Sequence, residues 1–273
     1  MIIFPVSGSY PLQKGVICLT EYEKQLKKKS GIISAASFLL LVGLILWVVN
    51  SPRIVGVSAS QRQLPIYSVQ QSEKIAALSF DAAWGNEDTQ TLIDILSAHD
   101  VRATFFLVGD WVDRYPESVK ALSDAGNEIM NHSSSHAHFS RLSHDEIIRD
   151  IRACNEKIEA ITGKEPTLFR CPYGEYDDHV INAVNTMGMK AIQWDVDSLD
   201  WKGISADEIT RRVLTKVQSG SIVLFHNAAD HTPEALAGII EQLQNEGYTL
   251  VPISELLLKG DYYIDNTGRQ CAR

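Results

Sequence analysis

Residues 74–81 read Lys-Ile-Ala-Ala-Leu-Ser-Phe-Asp, a short apolar run that ends in a single carboxylate. We predict a buried β-strand over residues 75–80, because a continuous apolar run of this length is typical of a strand covered on both faces. Asp81 then lies at the carboxyl end of that strand. The same unit, a strand followed by a segment of helical periodicity, recurs through the rest of the chain and decides the fold class.

The predicted strands and helices alternate from residue 75 to residue 251. We expect strands at 75–80, 101–108, 128–131, 167–170, 189–195, 221–225 and 248–251. We expect helices at 88–97, 116–125, 143–162, 178–187, 205–219 and 233–246. The helices that follow Ser143 and Ser205 begin with capping-box patterns. Seven strands alternating with six helices predict an α/β domain with a mostly parallel sheet, closed as a small barrel or left open.

The charge of the chain is unevenly distributed. The 273 residues include 25 Lys and Arg and 34 Asp and Glu, which gives a net charge of −9. Residues 1–70 carry seven basic and two acidic side chains, so the remainder carries 18 basic and 32 acidic ones. An acidic domain without a basic stripe argues against a nucleic-acid partner. With 45% apolar residues and four scattered cysteines, the chain is neither disordered nor a disulfide framework.

A membrane segment lies near the N-terminus. No charged residue occurs from residue 30 to residue 52, and 15 of the 18 residues from 32 to 49 are strongly apolar. Such a run is long enough to cross a bilayer as a helix. Four lysines precede it, so the positive-inside rule keeps the N-terminus in the cytoplasm and places the domain outside. A buried core helix and a cleaved signal peptide, with a small-residue site at 57–59, are the alternatives.

These patterns divide the chain into five segments. We expect a cytoplasmic tail at 1–30, a single-pass transmembrane anchor at 31–50, a Ser- and Gln-rich linker at 51–73, the α/β domain at 74–258 and a C-terminal tail at 259–273.

Chemically active side chains follow five of the predicted strands. They are Asp81, His132, Arg170, Asp197 with Asp200, and His226. Because the carboxyl ends of parallel strands meet at one rim of the sheet, we expect these groups to share an active site. His132 and His136 also have the spacing of two imidazoles that bind one metal ion, although the residue after His132 is not the Glu of a zincin motif.

The chain resembles the polysaccharide deacetylases, the NodB-homology group known as carbohydrate esterase family four. The resemblance covers residues 74–258 and is carried by five motifs in the family's order. They are Ser-Phe-Asp at 79–81, His-Ser-Ser-Ser-His at 132–136, Arg-Cys-Pro-Tyr-Gly at 170–174, Asp-Ser-Leu-Asp-Trp at 197–201 and Leu-Phe-His at 224–226. The variant Trp84-Gly85 and the single anchor are similar to the sporulation-associated branch of the family. The resemblance implies a distorted (β/α) barrel of about seven parallel strands.

The resemblance also implies a reaction and a set of roles. A membrane-anchored, metal-dependent hydrolase would remove N-acetyl groups from an amino-sugar polymer, peptidoglycan or a chitin-like glycan, and release acetate. Asp81 would be the general base, His226 the general acid, and His132 and His136 the ligands of a divalent metal such as zinc or another transition metal. Such a metal lowers the pKa of its bound water and polarises the acetyl carbonyl.

The remaining motif residues would support these groups. By resemblance, Arg170 would hold the base in position and Asp200 would orient the acid. The backbone N–H of Tyr173 would help to stabilise the oxyanion. Trp201 and Leu224 would line the pocket for the acetyl methyl group, although a plain core role is an equal alternative for both.

One position departs from the family pattern. The family has a second acidic metal ligand directly after the base, and here that position is Ala82. The two histidines could hold a weaker metal, Asp81 could join them, or Glu87 or Asp88 could substitute. The alternative is a catalytically weakened or silent protein that binds glycan in the cell wall or spore envelope.

Overall fold

The computed structural model describes residues 13–50 and 62–273. The chain divides into two compact units, one up to Gln61 and one from Arg62 to Arg273. Within the first unit the described residues form one helix, α1 (Gln13–Asn50), whose segment Glu21–Trp47 is long and apolar enough to cross a membrane. The helix begins well before the expected anchor, so residues 13–30 of the expected tail are helical. The small-residue site at 57–59 lies outside the described residues.

The second unit contains eleven strands, of which β2 to β6, β8 and β9 correspond to the seven that the sequence predicts. The strands are β1 (Ser68–Val69), β2 (Ile75–Ala82), β3 (Thr104–Leu107), β4 (Glu128–Asn131), β5 (Leu168–Phe169), β6 (Lys190–Ala191), β7 (Val196–Asp197), β8 (Ile222–His226), β9 (Thr249–Leu250), β10 (Tyr262–Ile264) and β11 (Arg269–Ala272).

Eight of these strands form one parallel sheet around β2. Its order is β6-β5-β4-β3-β2-β8-β7, and β9 pairs with the start of β2. Every residue of β2 after Ile75 is buried, as expected for a strand covered on both faces. This sheet confirms the predicted parallel α/β fold, and its curvature is that of an open, distorted barrel.

Helices cover the outer face of the sheet. They are α2 (Thr89–Ala98), α3 (Gly109–Arg114), α4 (Pro116–Asp124), α5 (His144–Thr162), α6 (Asp178–Thr186), α7 (Ala206–Leu214) and α8 (Thr232–Asn245). The short helix α9 (Ile253–Leu256) packs on the other face, because its buried side chains cluster with Ala77 and Phe106. The capping box of α5 is formed in full, because Ser143 Oγ accepts from the Glu146 N–H and Glu146 Oε2 accepts from the Ser143 N–H.

A second sheet contains segments that composition assigned to a linker and a tail. Strands β1, β11 and β10 form a three-stranded sheet, in which β1 runs parallel to β11 and β10 antiparallel to it. Residues 66–69 also bridge the open side of the large sheet, because Ile66 pairs with Ile192 and Ser68 with Ser221. Residues 62–73 and 259–273 therefore pack as part of the domain. The domain extends over residues 62–273, beyond the expected limits at 74 and 258.

Several elements differ from expectation: the strand expected at 101–108 is shortened to β3, and helices α3 and α9 were not predicted. Helix α7 ends at Leu214 rather than at residue 219, because the chain turns there and the Gln218 N–H bonds to Ser221 Oγ just before β8. The strand expected at 189–195 is only β6, since the Gln193 N–H then bonds to Ile66 of the bridging segment at 2.7 Å. The chain joins the sheet again as β7, beside β8.

Candidate active site

The site lies at the carboxyl ends of the central strands. Asp81 of β2 and His226 of β8 are direct register partners in the parallel sheet. Asn131, the last residue of β4, is followed by His132, and Arg170 follows β5. The four candidate side chains Asp81, His132, Arg170 and His226 therefore lie at the same edge of the sheet, at the ends of β2, β4, β5 and β8.

Asp81 is held by a buried ion pair. Arg170 Nη1 donates to Asp81 Oδ1 at 2.7 Å, and the side chains are 0% and 8% exposed respectively. Arg170 Nη2 also donates to Ser79 Oγ at 2.9 Å and to the Gln193 carbonyl at 3.2 Å. Burial by itself raises the pKa of Asp81, but the Arg170 guanidinium, together with the nearby His132 and His226, holds that pKa below its ordinary value. Asp81 is therefore an ionised, fixed carboxylate.

His132 presents one ring nitrogen to the site. Its Nδ1 lies 2.8 Å from the Arg170 carbonyl oxygen, so Nδ1 carries the proton and donates. Its Nε2 is left facing Asp81 Oδ2 at 3.5 Å. The ring of His136 lies edge-on to that of His132, with centroids 5.0 Å apart. Burial lowers the pKa of His132, and that of His136 to about 4, so both rings are neutral at pH 7.

The loop that carries both histidines is fixed by side chains that the sequence motifs do not include. Asn131 Oδ1 accepts from the Ser133 N–H at 2.7 Å, while Asn131 Nδ2 donates to the Ile151 carbonyl of α5. Asp150, also on α5, accepts from the Ser134 N–H at 2.7 Å. The roles of Asn131 and Asp150 become visible only once α5 is seen to pack against the loop. In the sequence, a polar Asn at the end of a buried strand is the one signal that could have indicated such a role.

Left-handed backbone gathers at this rim. Positive φ values occur at six non-glycine residues of the described chain, and five of them lie in loops around the site: Ser133, His136, Tyr173, Leu199 and Ala228. Such conformations cost free energy and persist where the surroundings fix them. The rim is therefore a rigid, preorganised surface.

The residues around Ala82 do not complete a metal site. Ala82 is 1% exposed and its methyl group packs in the main apolar cluster. Asp88 is directed elsewhere, because its Oδ2 accepts from the Ala228 N–H at 2.9 Å. Among the residues that the structure describes, no three His, Cys, Asp or Glu side chains form a group that could hold a metal ion. Asp81 faces His132, but it is already paired with Arg170. Two imidazoles without a further carboxylate do not fit a three-ligand catalytic metal centre.

His226 is oriented by Asp200. Asp200 Oδ1 lies 2.8 Å from His226 Nδ1, and its Oδ2 accepts from the His226 N–H and from the Thr232 hydroxyl, both at 2.7 Å. Burial lowers the pKa of His226, but the hydrogen bond and negative charge of Asp200 raise it above its ordinary value. This arrangement keeps a proton on the imidazole and fixes the ring plane.

The three expected pocket residues differ in exposure. Tyr173 is 61% exposed in a short 3-10 turn, and the rings of His136 and His138 pack against it with centroids 4.4 and 4.5 Å away. Trp201 is 51% exposed, whereas Leu224 is buried in β8. Tyr173 and Trp201 are therefore surface groups of the rim, and Leu224 lies in its floor.

Sequence reasoning missed two residues that shape the rim beside His226. The indole of Trp84 stacks on the His226 imidazole, with ring centroids 5.5 Å apart and an interplanar angle of 28°. Asn227 is 2% exposed and its Oδ1 accepts from the Ala83 N–H. The pair Trp84-Gly85, shortly after β2, is visible in the sequence. The residue on which Trp84 stacks, His226, lies on β8, so the sequence alone does not predict the contact.

Comparison with known proteins assigns the family. The family profile described as "Polysaccharide deacetylase" matches residues 68–192. The chain is 35% identical to the uncharacterized protein YlxY of Bacillus subtilis, over 71% of this chain and 60% of that protein. It is 34% identical to a peptidoglycan-N-acetylglucosamine deacetylase of Bacillus cereus, over 66% of this chain and 67% of that protein.

A solved structure gives the same relationship. The wild-type protein BA3943 of Bacillus anthracis, described as a CE4 family pseudoenzyme, is 38% identical with a TM-score of 0.68, over 70% of this chain and 68% of that one. A mutant of BA3943 is described as having restored enzymatic activity. Because the fold, the motif positions and these relatives agree, this chain belongs to the polysaccharide deacetylase family.

Proposed function

We propose that the protein is an N-deacetylase of peptidoglycan-type amino-sugar polymer that releases acetate. One observation carries the proposal: two anchored proton-transfer groups, Asp81 held by Arg170 and His226 held by Asp200, lie on register partners of adjacent strands. Hydrolysis of an amide needs a base for the attacking water and an acid for the departing amine, and this pair supplies both. The naming of a similar Bacillus cereus protein supports the polymer class.

Each group has the protonation state that its role requires. Asp81 is ionised, because Arg170 lowers its pKa, and it would accept the proton of the attacking water. His226 is biased toward the protonated form by Asp200, and it would donate to the amine nitrogen as the C–N bond breaks. The backbone N–H of Tyr173, in its left-handed turn, would donate to the developing oxyanion. Leu224 and Trp201 would border the acetyl methyl group.

Metal dependence enters the proposal in a weakened form. His132 Nε2 and the ring of His136 are the available neutral donors, and Ala82 supplies none. A divalent cation would therefore bind with lower affinity than at a site with an added carboxylate.

The proposal includes the location of the domain. Helix α1 would anchor the protein in the cytoplasmic membrane, with the domain on the extracytoplasmic side next to the cell wall. The support is the length and apolar character of Glu21–Trp47 and the lysines just before its uncharged stretch. We also propose a role in sporulation, because Trp84-Gly85 resembles the sporulation-associated branch of the family.

A second function is favoured by Ala82. A family member without the acidic ligand would bind glycan without hydrolysing it, and the similar protein BA3943 is described as a pseudoenzyme. The two functions predict the same ligand and differ only in turnover.

Acetate release separates them. The full-length protein in detergent is incubated with peptidoglycan and with N-acetylglucosamine oligomers, with and without added Zn²⁺ or Co²⁺, beside the matched variants Asp81→Asn and His226→Ala. The deacetylase proposal expects release by the wild type and at least a 100-fold loss in either variant. Equal rates in wild type and variants would show that Asp81 and His226 do not carry the reaction and would reject the proposal. No release on any substrate would reject it in favour of the binding function.

A further inference from the structure

Three exposed aromatic side chains surround the site. In the unit Arg62–Arg273, the large apolar side chains that are exposed are Trp84, Tyr173, Trp201 and Tyr263. The first three lie on the rim, where Trp84 stacks on His226, Tyr173 contacts His136, and Trp201 follows the Asp200 that binds His226. Tyr263 lies apart in β10 of the second sheet. Aromatic exposure is thus concentrated at the site.

Trp84 is the one of these three to which the family motifs give no role. His226 covers one face of its indole, yet 49% of the residue remains exposed to solvent. A side chain that served only to fill the core would be buried, as Trp111 is at 1% exposure. The uncovered part of the indole is therefore a flat apolar surface held open beside His226.

The loop that presents Trp84 is fixed from below by buried groups. The Gly85 carbonyl accepts hydrogen bonds from Trp111 Nε1, at 2.9 Å, and from Asn227 Nδ2. Asn227 Oδ1 accepts from the Ala83 N–H at 3.2 Å. These bonds hold the backbone on both sides of residue 84 and use no atom of the Trp84 side chain. The indole is thus positioned before any ligand arrives, which lowers the ordering cost of binding.

We propose that Trp84 is a sugar-stacking platform. Its open indole face would pack against the apolar C–H face of a pyranose ring of the polymer, next to the sugar whose acetamido group reaches His226. Large flat aromatic groups give contact area at low conformational cost, and a pyranose presents a face of the same size. The inference rests on the proposed glycan ligand but not on turnover, since binding alone uses the platform.

Binding of an N-acetylglucosamine pentamer to the full-length protein in detergent, measured by calorimetry, tests the platform. Trp84→Ala should raise Kd about 3- to 10-fold, the range expected for loss of one aromatic stacking contact. Trp84→Phe should stay within about twofold of the wild type, because a flat ring remains. Tyr263→Ala removes an equally exposed aromatic away from the site and is the matched control. Thermal unfolding of each variant checks that the fold is intact.

The outcomes distinguish this inference from the proposed activity. A Kd for Trp84→Ala equal to that of the wild type overturns the platform, as does an equal loss in Tyr263→Ala. A wild type without measurable affinity for the pentamer overturns it as well. If Trp84→Ala weakens binding while the wild type releases no acetate, the platform stands and the deacetylase proposal fails.

Discussion

Replacement of Arg170 by Met tests the ion pair on which the catalytic reading of Asp81 depends. The guanidinium is fully buried and bonds to Asp81, to the Ser79 hydroxyl and to the Gln193 carbonyl. Methionine fills part of the same volume but leaves the carboxylate buried without a cationic partner. Removal of one member of a buried pair costs about 3–5 kcal/mol of unfolding free energy. For a unit the size of Arg62–Arg273, this corresponds to a fall in Tm of about 6–20 °C.

The pH dependence of the loss identifies its cause. In the wild type the pKa of Asp81 is lowered, so the pair stabilises the fold above the ordinary carboxyl pKa and is lost only as pH falls through the lowered value. In Arg170→Met, the guanidinium no longer opposes the effect of burial, so the pKa of Asp81 rises and the folded variant takes up a proton as pH falls. The stability difference between variant and wild type should therefore be largest near pH 8 and should shrink toward pH 5.

Urea unfolding followed by circular dichroism, at pH 8 and at pH 5, measures both effects. The double variant Arg170→Met with Asp81→Asn carries no buried charge at this pair, and it should be more stable than the single variant at pH 8 and should lack the extra pH dependence. A loss below about 1 kcal/mol, the value of an exposed pair, would refute the burial argument. An equal loss at both pH values would show that packing, rather than the orphaned carboxylate, sets the cost.

Three further substitutions probe the rest of the site. Asp200→Asn should lower the pKa of His226 and reduce the free energy of unfolding by about 2 kcal/mol. Because the wild-type pKa of His226 is raised, the loss of stability should be greatest below pH 6.5 and smaller at pH 8.5. An NMR titration in which the pKa of His226 is the same in variant and wild type would contradict this. Ala82→Asp should lower the unfolding free energy of the metal-free protein by about 3 kcal/mol, because it buries a carboxylate. Addition of Zn²⁺ should raise the Tm of this variant more than it raises the Tm of the wild type. Equal increases in Tm would show that a side chain at position 82 does not reach the histidines. Asn131→Ala should cost about 2 kcal/mol in urea unfolding, because it leaves the Ser133 N–H and Asn155 Oδ1 unpaired, and a loss under 0.5 kcal/mol would mean that water replaces the amide.

The features that were predictable from sequence are those set by local signals. Helix α5 begins and ends within one residue of expectation, since a Ser143–Glu146 capping box starts it and Gly163 in left-handed conformation follows it. Strand β2 was predicted because its apolar run has no break before Asp81. The convergence of Asp81 and His226 followed from a general property of parallel sheets, without knowledge of the register.

The features that escaped prediction depend on contacts between distant segments. From the sequence, Ser79 is only a polar residue within an apolar strand. Its role depends on Arg170, which follows β5, lies 91 residues later in the chain and donates to its hydroxyl. Residues 62–73 have a linker-like composition, and only their pairing with β11 and their bridges to Ile192 and Ser221 make them part of the fold. The stacking of Trp84 on His226 likewise joins a loop to the end of another strand, and no local pattern connects the two.

The parallel pairing of β1 with β11 joins two segments that lie far apart in the sequence. Ser68 pairs with Arg269 and Val69 with Gln270, so β1 obtains this partner only when residues some two hundred positions later are present. During synthesis, β1 therefore cannot form this pairing until β11 has been made. A chain lacking residues 262–272 would keep the strand ends that carry Asp81 and His226, and Ile66 and Ser68 would keep their partners Ile192 and Ser221. It would lose the pairing that β11 gives to β1. The stability of β1 therefore depends on residues from both ends of the unit Arg62–Arg273.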